Sequence, residues 1–595
     1  MDKNILKPTR PFLILTSLLF FLLFLRTAQL QVLHHTRYAR LAERNRIKVI
    51  TTKAPRGRIL SRDGVIVADN RPGYTVVIFP DQLREKEKTL LKLASILNQD
   101  PEKILKKVEE GVPESGRIFV AKDVDVREVA IIEEHHLDLP GVRVEVEPLR
   151  YYPYGSLACH LLGYVSSITQ DEYSTREKRY SRNDLIGKMG FEDEYESFLK
   201  GEDGVEFVEV DALGREKETL LEKPPIPPRK GNDILLTLDF SLQNTVEEAF
   251  GDHKKGCVVC LNPGNGEVLA LLSKPGFDPN LLSRGLLTKE IWEDLANNPD
   301  SPLWNRATLS SYPPGSVFKL VTVAAAMDLD LLKENPNFVP CTGSYRIGNR
   351  IFRCWKTHGT LSREQSIIQS CDVFFYQVGL RLGIDRLTEK GISYRLVERT
   401  GIDLRREGKG LIPTPSWYDR RYGKGRWSWG MVANLAIGQG EILLTPLKTV
   451  QFIAAISNGG NLVQPHLMKE IRSPSGEVIQ KGSALGGTKS RLPISMETLT
   501  FLKKAMAGVV NDPKGTGSLA RVKGIRVGGK TGTAQNPYGE DHALFVTFAP
   551  YEEPQIACVV IVENGGMGGG IAAPIAGKIL RAYFQNNEKL SMQNE

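Results

Sequence analysis

The chain has 595 residues, 41% of them hydrophobic and 25% charged, with a net charge of +8 and a pI near 8.9. That length holds two or three domains and a large core. A charge of +8 spread this thinly, with no basic stripe interleaved with aromatic residues, excludes nucleic-acid binding as the main activity. Seven cysteines in so long a chain do not form a disulfide framework, so each is read in its own context.

The first predicted element is the run Pro11 to Leu25, apolar apart from Thr16 and Ser17 and flanked by Arg10 and Arg26. As a helix it spans about 22 Å, short of a hydrocarbon core of about 30 Å. Continuation to Leu30, with Arg26 snorkelling, makes up the difference. A cleaved signal peptide has an apolar region of this length, but nothing like Ala-x-Ala follows it. An uncleaved anchor over residues 11–30, behind a short tail of residues 1–10, is therefore expected. Flanking charge leaves its orientation open, because Lys3, Lys7 and Arg10 precede it while Arg26, Arg37, Arg40, Arg44 and Arg46 follow.

Residues 31–221 read as an α+β module with no clustered nucleophile, base or metal ligands. Short β-rich runs such as Tyr74 to Ile78 are followed by helical spacing at Leu90, Leu91, Ala94 and Leu97, then at Ile104, Leu105 and Val108. Asp125 is placed to cap a helix through Glu134, and Val142, Val144 and Val146 alternate as in a half-buried strand. Glu222 to Gly231, rich in proline, marks the best domain boundary. Beyond it, Cys257 to Leu261 and Glu267 to Leu272 predict a hairpin turning at Asn262 to Gly266. The C-x-x-C in that first strand invites a metal reading. Residues three apart on a strand face opposite ways, however, so Cys257 and Cys260 are expected to be separate buried side chains.

Pro313-Pro314-Gly315 then marks a turn, and the apolar run Val321 to Met327 predicts a buried helix behind it. Ser316 is expected in the first helical turn with Lys319 on the same face, a candidate nucleophile and base. Later stretches carry Ser370-Cys371-Asp372 within apolar sequence and Gly529-Lys530-Thr531-Gly532-Thr533 before the strand-like Ala543 to Phe548. Residues 232–585 thus form the candidate catalytic domain, followed by a polar tail, residues 586–595.

Ser316-x-x-Lys319, Ser370-x-Asp372 and Lys530-Thr531-Gly532, in this order, resemble the motif set of penicillin-binding proteins and serine β-lactamases. Arg56-Gly57-Arg58, Gly190-Phe191-Glu192, Tyr195-Glu196, Asp211 to Arg215, Asn305-Arg306-Ala307 and Gly438-Gln439-Gly440 extend the resemblance to class B penicillin-binding proteins, and most closely to the cell-elongation subfamily, penicillin-binding protein 2. The resemblance implies an α+β multidomain fold: a transmembrane helix, an elongated α+β pedestal, and a transpeptidase domain with helices packed on an antiparallel sheet. It implies a single-pass protein of the bacterial cytoplasmic membrane with its catalytic domain on the outer side. Ser316 would be acylated by the D-Ala–D-Ala end of a stem peptide, with Lys319 as base and Ser370 relaying a proton to the leaving amine. Lys530 would bind the peptide carboxylate, and Thr531, Gly532 and Thr533 would line the groove. The N–H groups of Ser316 and Thr533 would form the oxyanion hole, and β-lactams would be covalent inhibitors. Asp372 stands where many relatives carry asparagine, which brings a negative charge toward Lys319. The expected partners are peptidoglycan stem peptides and a SEDS-family glycosyltransferase of the elongation machinery.

Cys341, Cys354, His358 and Cys371, spaced C-x12-C-x3-H-x12-C, form a complete Cys3His set for structural Zn2+. The competing reading is a Cys341–Cys354 disulfide with the other two packed. Zinc-binding members of the subfamily place ligands at the same relative positions. Among alternative functions, a β-lactamase lacks here the Glu-x-x-Leu-Asn stretch that activates water in class A enzymes. A β-lactam sensor would carry several membrane segments, and a scaffold that activates a glycosyltransferase is compatible with catalysis.

Overall fold

A computed structural model of the chain describes residues 9–38, 47–111, 116–176, 180–181, 184–210, 216–219, 224–283, 289–332, 338–482 and 485–594. The segment Asp211 to Arg215, singled out above, lies outside them. The residues divide into two compact units: 1–55, 72–148 and 201–229 in one, and 56–71, 149–200 and 230–595 in the other. The sequential pedestal is thus interwoven, and the chain finally passes to the second unit between Arg229 and Lys230, inside the proline-rich stretch. That stretch is not a free linker. Ile226 pairs with Val205 and Arg229 with Glu202 through backbone hydrogen bonds.

In the first unit, helix α1 (Thr9–Ala28) continues as a π-helical turn to Leu33, and Pro11–Leu33 is long and apolar enough to cross a membrane. Its large apolar side chains are exposed, Phe12 and Phe24 among them, as contact with lipid requires. The strands Ile47–Thr52, Gly204–Val210 and Glu216–Thr219 make a small antiparallel sheet. A separate core gathers Ile78, Leu90, Leu93, Ile104, Val108, Ile118 and Ile132. Its helices follow their sequence signals. Pro101–Glu110 starts on the Asp100 side chain, and Val126–Glu134 starts on a capping box between Asp125 and Glu128. The predicted strand alternation holds only in part, since Val142 is buried whereas Val146 is 65% exposed.

The second unit is built on a five-stranded sheet. Its hairpin, β1 (Gly256–Leu261) and β2 (Val268–Lys274), turns where predicted, with Asn262 N–H donating to Glu267 O. Helix α2 (Lys319–Asp328) is buried on all sides, as an apolar helix must be. A two-residue hairpin, β3 (Ser344–Ile347) and β4 (Arg350–Arg353), precedes α3 (Asp372–Ser393), which kinks at Gly383. Helix α4 (Trp429–Ala436) leads into the Gly438–Gly440 turn. Strands β5 (Gly528–Ala534), β6 (His542–Ala549) and β7 (Ile556–Val562) complete the sheet in the order β2-β1-β7-β6-β5, antiparallel throughout. Helix α5 (Ala572–Asn594) and helix Phe240–Phe250 cover one face, and helix Pro446–Ser457 packs on the other. Cys257 and Cys260 enter different cores on opposite faces of β1, and the Sγ nearest Cys260 is that of Cys558, at 3.1 Å.

Several motifs quoted for the family resemblance meet in one buried cluster of this unit. Arg56 donates to both Glu192 and Glu196 at 2.7 Å, Arg150 donates to Glu192 at 2.5 Å, and the Tyr152 hydroxyl also donates to Glu192. Burial favours a neutral Glu192, but Arg150 and Arg56 outweigh it and hold the carboxyl below its ordinary value. These residues therefore tie together segments of the second unit that are far apart in sequence.

Candidate active site and metal centre

Ser316 does not lie in the first turn of an α-helix. It occupies a 3-10 turn, Gly315–Val317, and α2 begins at Lys319. The cause is Gly315, whose φ of +51° turns the chain just before the serine. A Cβ on Gly315 would lie 2.5 Å from Thr533 O, so only glycine lets this turn seat against β5. On its other side Gly315 N–H donates to Gly438 O at 2.9 Å. The half-buried Ser316 hydroxyl makes no hydrogen bond among the described residues.

The other predicted groups converge. Lys319 is fully buried, and its Nζ donates to Ser370 O at 2.9 Å, to Ser370 Oγ at 3.1 Å and to Asp372 Oδ1 at 2.7 Å. Lys530, also fully buried, donates to Ser370 Oγ at 2.9 Å and to Thr531 O. Burial, and after it the positive charge of Lys319, push the Lys530 ammonium pKa well below its ordinary value, with Asp372 opposing. The charge introduced by Asp372 is thus met directly by Lys319. Ser370 sits at φ +52°, a left-handed conformation that costs a non-glycine residue about 1–2 kcal/mol. It is held there by its own N–H to Ile367 O, by Cys371 N–H to Ser366 O, and by the Trp355 indole, which donates to Ser370 O at 3.3 Å.

Thr531 and Thr533 lie on the edge strand β5, which pairs only with β6. Gln439 donates to Thr533 O at 2.8 Å from the free edge, and in a strand the N–H of a residue points the same way as its C=O. Thr533 N–H therefore points out from the free edge, and among the described residues neither it nor Ser316 N–H has an acceptor, which leaves both available to an oxyanion. Thr531 Oγ1 is held 2.8 Å from Thr516 Oγ1. Thr516, Gln439 in its bridging role and Trp355 are contributors that spacing alone did not single out. Trp355 follows Cys354 directly, and an exposed tryptophan beside a metal-type cysteine was the one available signal.

The metal-ligand set also assembles. The ligand atoms of Cys341, Cys354, His358 and Cys371 all lie within 4.8 Å of one another, and the three sulfurs are unbonded. His358 Nδ1 lies 3.6 Å from Cys341 Sγ and 3.5 Å from Cys354 Sγ. Tetrahedral zinc, with bonds of about 2.3 Å to sulfur and about 2.05 Å to nitrogen, sets that separation at about 3.6 Å, so the residues fit the ion. The Cys371 thiol donates to Cys354 and holds it down toward thiolate, while the same contact pushes Cys371 up. Asp372 N–H donates to Cys354 Sγ at 3.3 Å, which ties this cluster to the catalytic motif.

A hydroxyl nucleophile, two buried lysines sharing a second hydroxyl, and two free N–H groups beside an edge strand define a serine acyl-transfer enzyme. Residues 256–581 match the penicillin binding protein transpeptidase domain, and residues 51–236 match the penicillin-binding protein dimerisation domain. The peptidoglycan D,D-transpeptidase MrdA of Acinetobacter baumannii is 32% identical over 589 residues, covering 95% of this chain and 85% of the relative. A penicillin-binding protein (PBP2) of Helicobacter pylori, solved in complex with MreC, superposes with a TM-score of 0.75 at 28% identity, covering 90% of this chain and 99% of that one. A structure described as showing coordination of polymerization and crosslinking by a peptidoglycan synthase complex gives 0.69 at 29% identity, covering 97% and 98%. The chain belongs to the penicillin-binding protein transpeptidase family.

Proposed function

We propose that the protein is the D,D-transpeptidase of cell-wall elongation, cross-linking peptidoglycan stem peptides through an acyl-enzyme on Ser316. The observation that carries this reading is the convergence of Lys319 and Lys530 on Ser370 Oγ, at 3.1 and 2.9 Å, next to the Ser316 turn. Lys319 is paired with Asp372 at 2.7 Å, whereas burial favours neutral Lys530. Rotation of the Ser370 hydroxyl toward the neutral Lys530 Nζ, reversing that hydrogen bond, lets its proton pass there as Lys319 Nζ protonates Ser370 Oγ, which leaves Lys319 neutral as the base for Ser316. It also leaves Lys530 charged, ready to hold the carboxylate of the D-Ala–D-Ala end. Ser316 Oγ then attacks the penultimate carbonyl, the oxyanion rests on the N–H groups of Ser316 and Thr533, and D-alanine leaves with a proton returned through Ser370. An amine of a second stem peptide attacks the ester and frees Ser316. β-Lactams acylate the same hydroxyl.

Zinc would be held by Cys341, Cys354, His358 and Cys371, cross-linking the loop behind β4 to the N-terminus of α3. Helix α1 would span the cytoplasmic membrane, with the catalytic unit on the outer side where peptidoglycan lies. The solved relatives in complex with MreC and in a peptidoglycan synthase complex support a partner from the elongation machinery here, with a SEDS-family glycosyltransferase the proposed one. Pedestal substitutions that spare penicillin binding and abolish glycan polymerisation by that partner would support the pairing. The central test is labelling of the full chain in detergent with a fluorescent penicillin. The unsubstituted protein labels and Ser316→Ala does not; equal labelling of both, or of neither, removes the proposal.

A further inference from the structure

The five-stranded sheet is assembled from two parts of the chain that lie far apart in sequence. Its hairpin β1–β2 precedes Ser316, whereas β5, β6 and β7 follow the whole helical stretch from α2 to α4. In the order β2-β1-β7-β6-β5, and among the described residues, only the pairing of β1 with β7 joins the two parts of the sheet. Lys530 and Thr533, on β5, are thus tied to the first hairpin through β6, β7 and that one joint.

Two cysteines face each other in the joint. Cys260 of β1 and Cys558 of β7, 298 residues apart in sequence, are direct partners in the antiparallel register. Both side chains enter the same core, under α5, and neither residue is exposed. As thiols their sulfurs lie only 3.1 Å apart. Directly opposed residues of an antiparallel pair have Cα atoms about 4.5 or 5.5 Å apart, and a disulfide accepts about 4.4–6.8 Å. A bond of about 2.05 Å asks the sulfurs to close by about 1 Å, within reach of rotation about the two Cα–Cβ bonds. Their outer neighbours across the sheet, Ala270 and Thr547, are small. Cys257 enters the opposite core and Cys159 a separate one, so neither competes for either sulfur.

We propose that Cys260 and Cys558 are joined by a structural disulfide that staples β1 to β7. The inference rests on the reading that places this unit on the outer side of the membrane, where thiols are oxidised. The oxidant is itself a disulfide, protein-borne or small, and the step is thiol–disulfide exchange. Cys260 crosses the membrane before Cys558, behind the N-terminal anchor. Its thiolate attacks the oxidant disulfide, giving a mixed disulfide and releasing one oxidant thiol. The Cys558 thiolate then attacks Cys260 Sγ and releases the second oxidant thiol, so two electrons and two protons pass from the pair to the oxidant. Exchange precedes burial, because α5 and helix Phe240–Phe250 cover this face of the finished sheet. The same cover then shields the bond from reductants.

The test takes the full chain from the membrane of a bacterial host. Cells are quenched in acid, free thiols are blocked with a maleimide in denaturant and chelator, and the peptides are mapped by mass spectrometry. A linked Cys260–Cys558 peptide pair is expected, leaving five of the seven cysteines alkylated before reduction. Cys558→Ala, with one cysteine fewer, should show six alkylated before reduction and six after it. Mapping of the unsubstituted protein carries the test alone should that variant fail to fold. Alkylation of all seven cysteines without reduction overturns the inference, as does a linked pair of other cysteines with Cys260 and Cys558 both alkylated. A membrane-impermeant protease added to spheroplasts locates the unit independently. Cleavage from outside together with seven free thiols removes the disulfide alone, whereas protection of the unit removes the outer-side reading and the disulfide with it.

Discussion

Removal of the metal ligands is the perturbation with the most defined consequence. The four side chains enclose a loop of thirty-one residues from Cys341 to Cys371. Treating the ion as a cross-link, closure of a loop of that size stabilises the folded unit by about 4 kcal/mol. At roughly 2–4 °C per kcal/mol for a large domain, loss of zinc lowers the melting temperature by roughly 10 °C. The effect reaches catalysis because Cys371 lies between Ser370 and Asp372, and Cys354 Sγ accepts from Asp372 N–H at 3.3 Å. Without the ion, the Ser370 backbone at φ +52° loses one of the restraints on its left-handed conformation. Protein purified without a polyhistidine tag is assayed for metal by mass spectrometry, then for melting temperature and penicillin acylation before and after chelation. One equivalent of zinc is expected, with both stability and acylation rate lowered on removal and in Cys371→Ser. Less than about half an equivalent, together with normal acylation in Cys371→Ser, refutes the reasoning.

Gly315→Ala places a Cβ 2.5 Å from Thr533 O at a φ of +51°, so acylation by penicillin should fall at least about tenfold with the protein still folded; circular dichroism and labelling rate check this. Lys530→Arg keeps a cation for the substrate carboxylate but cannot become neutral, so the proposed relay predicts a loss of acylation kcat of about a hundredfold with a smaller change in KM. A variant that retained kcat would confine Lys530 to anchoring. Glu192→Ala leaves Arg150 buried without its carboxylate and Arg56 with Glu196 alone, and should cost about 3–5 kcal/mol by chemical denaturation. Because the Glu192 pKa is lowered in the folded state, its contribution is full above the unfolded value near 4.3 and is lost as pH falls through the folded value. Stability of the unsubstituted protein should therefore drop more steeply below about pH 4 than that of Glu192→Gln.

How much of this was legible in the sequence depends on distance along the chain. Caps and hairpins are local, so Asp125 before its helix and the β1–β2 turn were readable from spacing. The motif serines and lysines were readable by type and order, yet the meeting of the two lysines at the Ser370 hydroxyl depends on contacts spanning fifty-one and 160 residues. The cluster of Arg56, Arg150, Glu192 and Glu196 was equally hidden: Arg56, Glu192 and Glu196 appear in sequence as unrelated family signatures, Arg150 carries no signal, and only folding shows that they neutralise one another in one core.

The backbone conformations at the catalytic turn were the least legible, and the reason is physical. Gly315 and Gly438 are needed for what their absent Cβ atoms do not strike: Thr533 O at 2.5 Å and Gly315 O at 2.2 Å. Those two clearances stack the Gly438 turn on the Ser316 turn and the Ser316 turn on β5. Gln439 then reaches the free edge of β5, and Glu441 is carried to a neighbouring open cavity between α4 and the β3–β4 hairpin. One short chain segment thus fixes both the edge of β5 and a wall of that cavity. A change that loosened the Gly438 turn, such as Gly438→Ala, should therefore disturb the Ser316 turn and the Gln439 bridge together and lower the rate of acylation by penicillin.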